Sequence, residues 1–173
     1  IATGSSPAIA PLLRAAGDRL IVNDDVFAWN DLPRSVAVFG PGVIGLELGS
    51  VWRRLGAEVV VLEAMEQFLA MADQAVAREA QKHFKKQGLD IRLGAKVSGA
   101  DVKKDGVTLK YTDAKGEQAV TVDKVVVAIG RRPFTDGLLG EGTGVKLDER
   151  GFIQVDDECH TGAGNVWAVG DVV

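Results

Sequence analysis

Apolar residues follow two rhythms along this chain. Between positions 35 and 93 they form unbroken runs joined by stretches of helical spacing, and between 95 and 122 they alternate with polar residues. A short continuous apolar run bounded by turn residues marks a strand covered on both faces. Such runs stand at Ser35 to Phe39, Glu58 to Leu62 and Leu89 to Leu93, with a last one at Lys124 to Ile129. The first two are joined by a helix expected over Val43 to Leu55 and stopped by Gly56. A second helix is expected over Gln74 to Gln87, with Asp73 as its cap and Gly88 as its stop. Ala72, Val76, Ala80 and Phe84 would form its buried face. From Ala95 to Val122 the period is two. Segments at Lys96 to Lys103, Val107 to Tyr111 and Gln118 to Val122 are separated by the turn signals Lys104-Asp105-Gly106 and Asp113-Ala114-Lys115-Gly116, which predicts an antiparallel meander. The flanks are weaker in pattern. Ile1 to Asp31 reads as a lead-in with loops at Gly4-Ser5-Ser6-Pro7 and Gly17-Asp18; beyond Ile129 come a loop at Gly130-Arg131-Arg132-Pro133 and short strands near Phe152 to Val155 and Val166 to Val169.

The first strand breaks into Gly40-Pro41-Gly42-Val43-Ile44-Gly45, a G-x-G-x-x-G at the mouth of a helix. In that pattern one glycine makes the tight turn, one lets backbone approach a pyrophosphate, and one lets the helix pack on the strand. The helix that follows directs its unpaired amides at the diphosphate. The candidate contact stretch is Gly40, Pro41, Gly42, Val43, Ile44, Gly45 and Leu46. The second strand ends at Glu63, 23 residues past Gly40, near the spacing of about 20 at which an acid holds the adenosine ribose hydroxyls. Ala64, Met65, Glu66 and Gln67 follow, and the first basic side chain is Arg78. A carboxylate repels a 2′-phosphate, so the pattern favours NAD over NADP. The expected fold class is α/β, a Rossmann-like parallel sheet with an inserted three-stranded antiparallel β-meander. The expected division is a lead-in at 1–31, a NAD-binding domain at 32–135 with its meander at 95–122, and a return segment at 136–173.

Composition narrows the alternatives. A length of 173 residues suits one well-buried domain, and a net charge of −4 gives no electrostatic footprint for nucleic acid or an anionic membrane. The apolar runs are too short to span a bilayer. One cysteine, Cys159, excludes an internal disulfide, and two histidines, His83 and His160, give no zinc-ligand spacing. The chain opens on Ile1 and ends on Asp171-Val172-Val173, and is expected to be a segment of a longer protein in which no targeting signal can be judged.

Four segments together resemble the pyridine nucleotide-disulfide oxidoreductases. They are Ile1-Ala2-Thr3-Gly4-Ser5, the run from Gly40 to Gly49, Ala128-Ile129-Gly130-Arg131-Arg132-Pro133, and Trp167-Ala168-Val169-Gly170-Asp171. The resemblance implies a NAD domain inserted into an FAD domain, with Thr3, Gly4, Ser5 and Asp171 at the two seams and on the FAD side. Asp171 would accept a ribityl hydroxyl of the flavin; the alternative is a turn aspartate after a strand. Gly130 would lie near the nicotinamide and Val97 near the adenine. Glu47 would pair with a lysine of the FAD domain beside the reactive flavin nitrogen, a role compatible with simple stabilisation of the helix N-terminus. Val43 would leave room for nicotinamide. Phe134 and the turn Gly162-Ala163-Gly164 depart from the family pattern of asparagine and a proline-containing turn.

The activity implied is electron transfer from dihydrolipoamide through a cysteine pair and FAD to NAD, with the cysteines, a general-base histidine and most of the FAD site outside this chain. The alternatives are a NADH oxidase, a soluble transhydrogenase or a mercuric reductase of the same architecture, or a free-standing NAD-binding module without catalysis. The resemblance also implies a homodimeric parent, cytoplasmic or in the mitochondrial matrix of a eukaryote, and allows a place in a 2-oxoacid dehydrogenase complex.

Three further features are read more plainly. Ser98, Tyr111 and Lys115 reproduce the spacing of short-chain dehydrogenases, but Lys115 falls in a turn between alternating strands, where Tyr and Lys cannot share a helical face. Arg131 and Arg132 either contact the dinucleotide phosphate or are solvated. Cys159 is expected to be a semi-buried small side chain, and His160 a loop histidine without a carboxylate partner.

Overall fold

Valine-rich runs that cannot face water on either side become the centre of a parallel sheet. In the computed structural model, which describes residues 1–173 apart from the side chain of Ala15, this sheet lies within a compact unit, Ile9–Ile129. Its central strands are β3 (Ser35–Phe39), β4 (Glu58–Leu62), β5 (Asp90–Arg92) and β9 (Lys124–Val127), in the spatial order β9-β3-β4-β5. All pair in parallel, Phe39 opposite Leu62 on one side and Val127 on the other. Between β3 and β4 runs α1 (Val43–Arg54), and between β4 and β5 runs α2 (Gln74–Lys86).

Successive side chains of each strand enter different cores. Val36, Val38, Val59, Val61 and Val126 join Leu46, Trp52 and Ala77 of the helices in one cluster. Ala37, Val60, Leu62, Val125 and Val127 join Val107, Leu109, Tyr111 and Val122 in another. The second cluster exists because the meander covers that face. Its strands are β6 (Lys96–Lys103), β7 (Gly106–Asp113) and β8 (Gly116–Val122), paired antiparallel in that order. Along β7, Val107, Leu109 and Tyr111 are buried while Lys110 and Thr112 are exposed, the alternation expected of a sheet with one dry face. Leu13 and Ala16, from a 3₁₀ segment at Pro11–Arg19, close the same cluster.

The helices follow their sequence signals closely. Asp73 caps α2, accepting N–H bonds from Ala75 at 2.9 Å and Val76 at 3.2 Å. One expectation is corrected: Val76 is 62% exposed, and the buried residue of α2 is Ala77, with Ala80 and Phe84 packed beside it. A spacing of four drifts around a helix of 3.6 residues per turn, whereas Ala77, Ala80 and Phe84 stay on one face. Within the expected lead-in, β2 (Leu20–Ile21) adds an edge strand to the parallel sheet, with Leu20 opposite Val125.

The other unit comprises Ile1–Ala8 and Gly130–Val173. Two expected loops are ordered here as a two-stranded ribbon: β1 (Ser5–Pro7) runs antiparallel to β10 (Arg131–Pro133), with Pro7 opposite Arg131. Phe134 N–H donates to Gly4 O at 2.9 Å and the Thr3 hydroxyl to Phe134 O at 2.7 Å, extending the ribbon by a residue at its end. The short strands expected near Phe152 and Val166 are absent as ladders. Only single bridges form, Leu147 with Ile153 and His160 with Trp167. The partner changes from residue to residue, since Ile153 N–H donates to Val172 O and Gln154 N–H to Lys146 O. Ile153, Ala168 and Val172 nevertheless form a small core. Among the described residues no helix is long and apolar enough to cross a membrane.

Two local constraints hold the parallel sheet together. At the amino ends of β3 and β9, Asp123 Oδ2 accepts the N–H of Arg34 at 2.8 Å and of Ser35 at 3.3 Å, while its own N–H donates to Ser35 Oγ at 3.0 Å. Burial pushes this carboxyl up, but hydrogen bonds from Arg34 and Ser35 outweigh it and hold it below the usual value of 3.8. At the carboxyl ends, Gly40 has φ +99°, and a Cβ there would lie 2.6 Å from Ala128 O. A Cβ on Gly45 would collide with Gly40 O and stand 3.0 Å from Val38 Cγ1 and 3.2 Å from Ala128 Cβ.

Gly45→Ala should therefore lower stability by about 1–3 kcal/mol through overpacking. Gly140→Ala, where a Cβ meets nothing within 4 Å, should stay within about 0.5 kcal/mol of the parent; thermal unfolding followed by circular dichroism compares the two, and equal midpoints would contradict the steric account. Asp123→Asn should cost about 1–2 kcal/mol at neutral pH, the scale of charge-assisted hydrogen bonds. Because the folded-state value is lowered, this stabilisation is present above the unfolded pKa and is lost as pH falls through the folded one. Urea unfolding at stepped pH should show the gap between parent and variant closing on acidification, and a gap that stays constant would assign it to another cause.

Candidate dinucleotide site

The glycine turn leaves β3 at the carboxyl edge of the sheet, where ligands bind in open α/β folds. Gly40 N–H donates to Leu62 O at 3.0 Å, and Ala128 N–H donates to Phe39 O at 2.8 Å, so the turn is tied to the strands on both sides. The crossing at Gly40 and Gly45 seats α1 directly against β3 and the exit of β9. Gly42 is the N-cap of α1 and offers no side chain to its amides. Leu46 N–H is the first to find a helix acceptor, at Gly42 O (3.0 Å), which leaves the preceding first-turn amides for a ligand. α2 behaves differently, since the Asp73 carboxylate already occupies its first-turn amides. Val43 is 68% exposed and Glu47 is exposed, while Pro41, Gly45 and Leu46 are buried and Ile44 is half-buried. The space beside Gly42, where a Cβ would meet only Ala128 O at 3.8 Å, and the uncapped amides fit a diphosphate.

Glu63 follows β4, beside the glycine turn. Its N–H donates to Arg92 O at 3.0 Å and its carbonyl accepts Ala95 N–H at 2.7 Å, fixing the backbone at the strand end. One carboxylate oxygen, Oε1, accepts Met65 N–H at 2.7 Å. Among the described residues Oε2 takes no partner, so the side chain is held at one oxygen and open at the other. The Met65 amide was not anticipated: any residue but proline supplies it, so the sequence gives no sign of it. Val97 lies two residues past Ala95 on β6, half-buried against the meander core, at a register shift between Val97 and Gly99. A cavity of about 470 Å³ lies elsewhere, lined by Ser35, Arg53, Glu58, Gly88 and Asp90 around the amino ends of the strands. No candidate residue lines it.

The Ser98, Tyr111 and Lys115 constellation is scattered as expected. Tyr111 is buried on β7 and accepts a hydrogen bond from Arg92 Nη1 at 2.6 Å; Ser98 donates to Lys110 O on the neighbouring strand; Lys115 sits in the turn after β7.

The remaining candidates belong to the second unit. Gly130 has φ +126° and its carbonyl accepts Ala8 N–H at 3.0 Å. Ser5 Oγ donates to Asp171 Oδ2 at 2.7 Å and accepts from Arg131 Nε at 2.6 Å. Arg131 is thus tied into the ribbon rather than solvated, at 26% side-chain exposure, whereas Arg132 is exposed. Nothing in the sequence links Arg131 to Ser5, which lie 126 positions apart. The expectation for His160 is corrected: Asp156 Oδ2 lies 4.0 Å from its Nδ1, Asp156 Oδ1 accepts its backbone N–H at 2.8 Å, and its Nε2 contacts Gly164 O at 2.8 Å. A spacing of four outside any helix gave no reason to pair them. Cys159, beside it, is a free half-buried thiol with φ +63°.

Comparison with known proteins matches this arrangement to a named group. The family profile of the pyridine nucleotide-disulphide oxidoreductases matches residues 1–173. A dihydrolipoyl dehydrogenase of Cupriavidus necator is 48% identical over 174 residues, covering 100% of this chain and 37% of the relative. A dihydrolipoyl dehydrogenase of Geobacillus stearothermophilus is 37% identical over 100% of this chain and 37% of its own length. Among solved structures, the HOCl-induced flavoprotein disulfide reductase RclA of Escherichia coli, as a Cu(II) complex, superposes with a TM-score of 0.87 at 31% identity, over 99% of this chain and 39% of that one. The chain therefore spans well under half the length of the relatives it matches. Its match along the whole sequence places it in the pyridine nucleotide-disulphide oxidoreductase family.

Proposed function

We propose that this chain is the NAD-binding part of an FAD-dependent dihydrolipoyl dehydrogenase, whose parent oxidises dihydrolipoamide to lipoamide and reduces NAD⁺ to NADH with release of a proton. The observation that carries the reading is the 48% identity to a dihydrolipoyl dehydrogenase along the whole chain, joined to a glycine turn with no room for a side chain at Gly40 or Gly45. In such an enzyme flavin and nicotinamide carry the hydride, and the protein aligns and surrounds them.

The residues of this chain have distinct tasks in that scheme. Gly40, Pro41, Gly42 and the first-turn amides of Val43, Ile44 and Gly45 receive the NAD diphosphate. Glu63 accepts the adenosine ribose hydroxyls with the oxygen that Met65 leaves open, and Val97 lies against the adenine. Val43, a small and exposed side chain, leaves the nicotinamide approach clear. Gly130 serves the same approach. Glu47, exposed near the start of α1, pairs in this reading with a lysine of the FAD domain. Thr3, Gly4, Ser5 and Asp171 contribute to the FAD side. The redox cysteines and the general base belong to other parts of the parent. The same reading carries a homodimeric parent, in the cytoplasm of a bacterium or the mitochondrial matrix of a eukaryote, serving a 2-oxoacid dehydrogenase complex.

Calorimetric titration of the full-length protein should give tighter binding of NAD⁺ than of NADP⁺. Glu63→Gln should weaken NAD⁺ by about tenfold, equivalent to about 1.4 kcal/mol, as a charge-assisted hydrogen bond to the ribose becomes a neutral one. Tighter binding of NADP⁺ by the parent would overturn the role given to Glu63. Absence of NAD⁺-linked oxidation of dihydrolipoamide, with NAD⁺ binding intact, would instead favour a related flavoprotein of the same architecture.

A further inference from the structure

Asp171 stands after the positive-φ residue Gly170, with 64% of its side chain exposed. An aspartate so placed would ordinarily sample several rotamers in water. Here its Oδ2 is held from two directions. The Ser5 hydroxyl donates to it at 2.7 Å, and Arg131 Nε lies 3.5 Å away. Arg131 also donates from Nε to Ser5 Oγ at 2.6 Å and from Nη2 to Ser5 O at 2.7 Å. The guanidinium thus grips both polar groups of Ser5 and leaves the Ser5 proton one acceptor, the aspartate. A hydroxyl that accepts from a cation becomes a stronger donor through polarisation.

The ribbon makes this possible. Arg131 is paired with Pro7, and Ser5 is paired with Pro133, so Arg131 and Ser5 are diagonal neighbours across two antiparallel strands, within reach of a long side chain. Among the described residues, Asp171 Oδ1 takes no partner. The carboxylate is therefore anchored at one oxygen and presented at the other.

We propose that Ser5 and Arg131 are positioning residues that orient Asp171 so that its free oxygen meets a hydroxyl of the flavin's polyol chain. This rests on the reading that Asp171 serves the FAD side. Ser5 acts through Asp171, and Arg131 acts both through Ser5 and through its own approach to Asp171 Oδ2; neither has to touch the flavin for its removal to weaken binding.

The test is a coupled set of variants in the full-length flavoprotein, with the FAD dissociation constant read by quenching of flavin fluorescence and the melting midpoint of the apoprotein as a check on folding. Ser5→Ala and Arg131→Met should each raise the dissociation constant by about tenfold, a loss of about 1.4 kcal/mol. Ser5→Thr, which keeps the hydroxyl, should stay within about twofold of the parent, and Arg131→Lys, which cannot grip two groups with a planar fork, should not rescue. On an Asp171→Asn background, Ser5→Ala should add little, because the two residues act as a unit. Full additivity of Ser5→Ala and Asp171→Asn would overturn the proposal, as would a Ser5→Ala protein that binds FAD like the parent while Asp171→Asn binds it weakly. Unchanged binding in Asp171→Asn would strike lower, at the placement of Asp171 on the FAD side, and the proposal would fall with it.

Discussion

The architecture of the larger unit depends on one close approach: a helix that begins where two strand ends leave no room for a single Cβ. A Cβ on Gly45 would collide with Gly40 O, and one on Gly40 would press within 2.6 Å of Ala128 O. With hydrogen at both positions, α1 starts directly on the end of β3 and beneath the exit of β9. Two consequences follow from the same geometry. Leu46 and Trp52 reach the sheet and enter the core with Val36, Val38 and Val61, and the uncapped amides are carried to the carboxyl edge, next to Glu63. Packing and site construction here are one constraint, because a side chain that loosened the helix from the strand would also move the amides away from the strand ends.

The opposite face of the sheet explains why an antiparallel meander interrupts a parallel fold. β3, β4 and β9 carry apolar residues on both faces, so half of their side chains need a cover that α1 and α2 do not provide. Val107, Leu109, Tyr111 and Val122 supply it, all at or below 4% exposure. Alternation then lets β7 turn Lys110 and Thr112 to water without breaking that seal. The meander also returns the chain to the sheet at Lys124, next to the Asp123 clasp that joins β9 to the start of β3. One edge of the parallel sheet is thus set by carboxylate hydrogen bonds and the other by missing side chains.

What the sequence made legible divides along physical lines. β3 and β4 run from Ser35 to Phe39 and from Glu58 to Leu62, as the apolar runs predict, because burial on both faces writes itself directly into composition. Asp73 was readable as a cap because capping is local. The ribbon of Ser5–Pro7 with Arg131–Pro133 was not, since its residues are polar, carry no periodicity and meet only after the whole larger unit has intervened. The apolar residues near Phe152 and Val166 suggested strands, but Ile153 and Ala168 fill a small core while their amides turn to different partners. Val76 misled because spacing by four approximates a helical face for only about two turns. Of the candidate site, the glycines and Glu63 were visible from spacing; the Met65 amide and the grip of Arg131 on Ser5 depend on contacts that only the folded backbone defines.

The two carboxylates read as meeting hydroxyls share one device. Glu63 has Oε1 occupied by the Met65 amide, and Asp171 has Oδ2 occupied by the Ser5 hydroxyl. Glu63 is half-buried and Asp171 exposed, and in either place an unrestrained acid would lose rotamer freedom on meeting a ligand and give back part of the hydrogen-bond energy. Holding one oxygen removes much of that loss in advance while leaving the other as acceptor. The donor chosen in each case matches the local backbone. Glu63 follows a strand directly and can borrow the amide two residues on, whereas Asp171 follows a glycine turn and takes its anchor from a ribbon formed by the two chain segments of its unit. The same requirement, an acceptor preset for an alcohol donor, is met by a local solution in one unit and by a long-range one in the other.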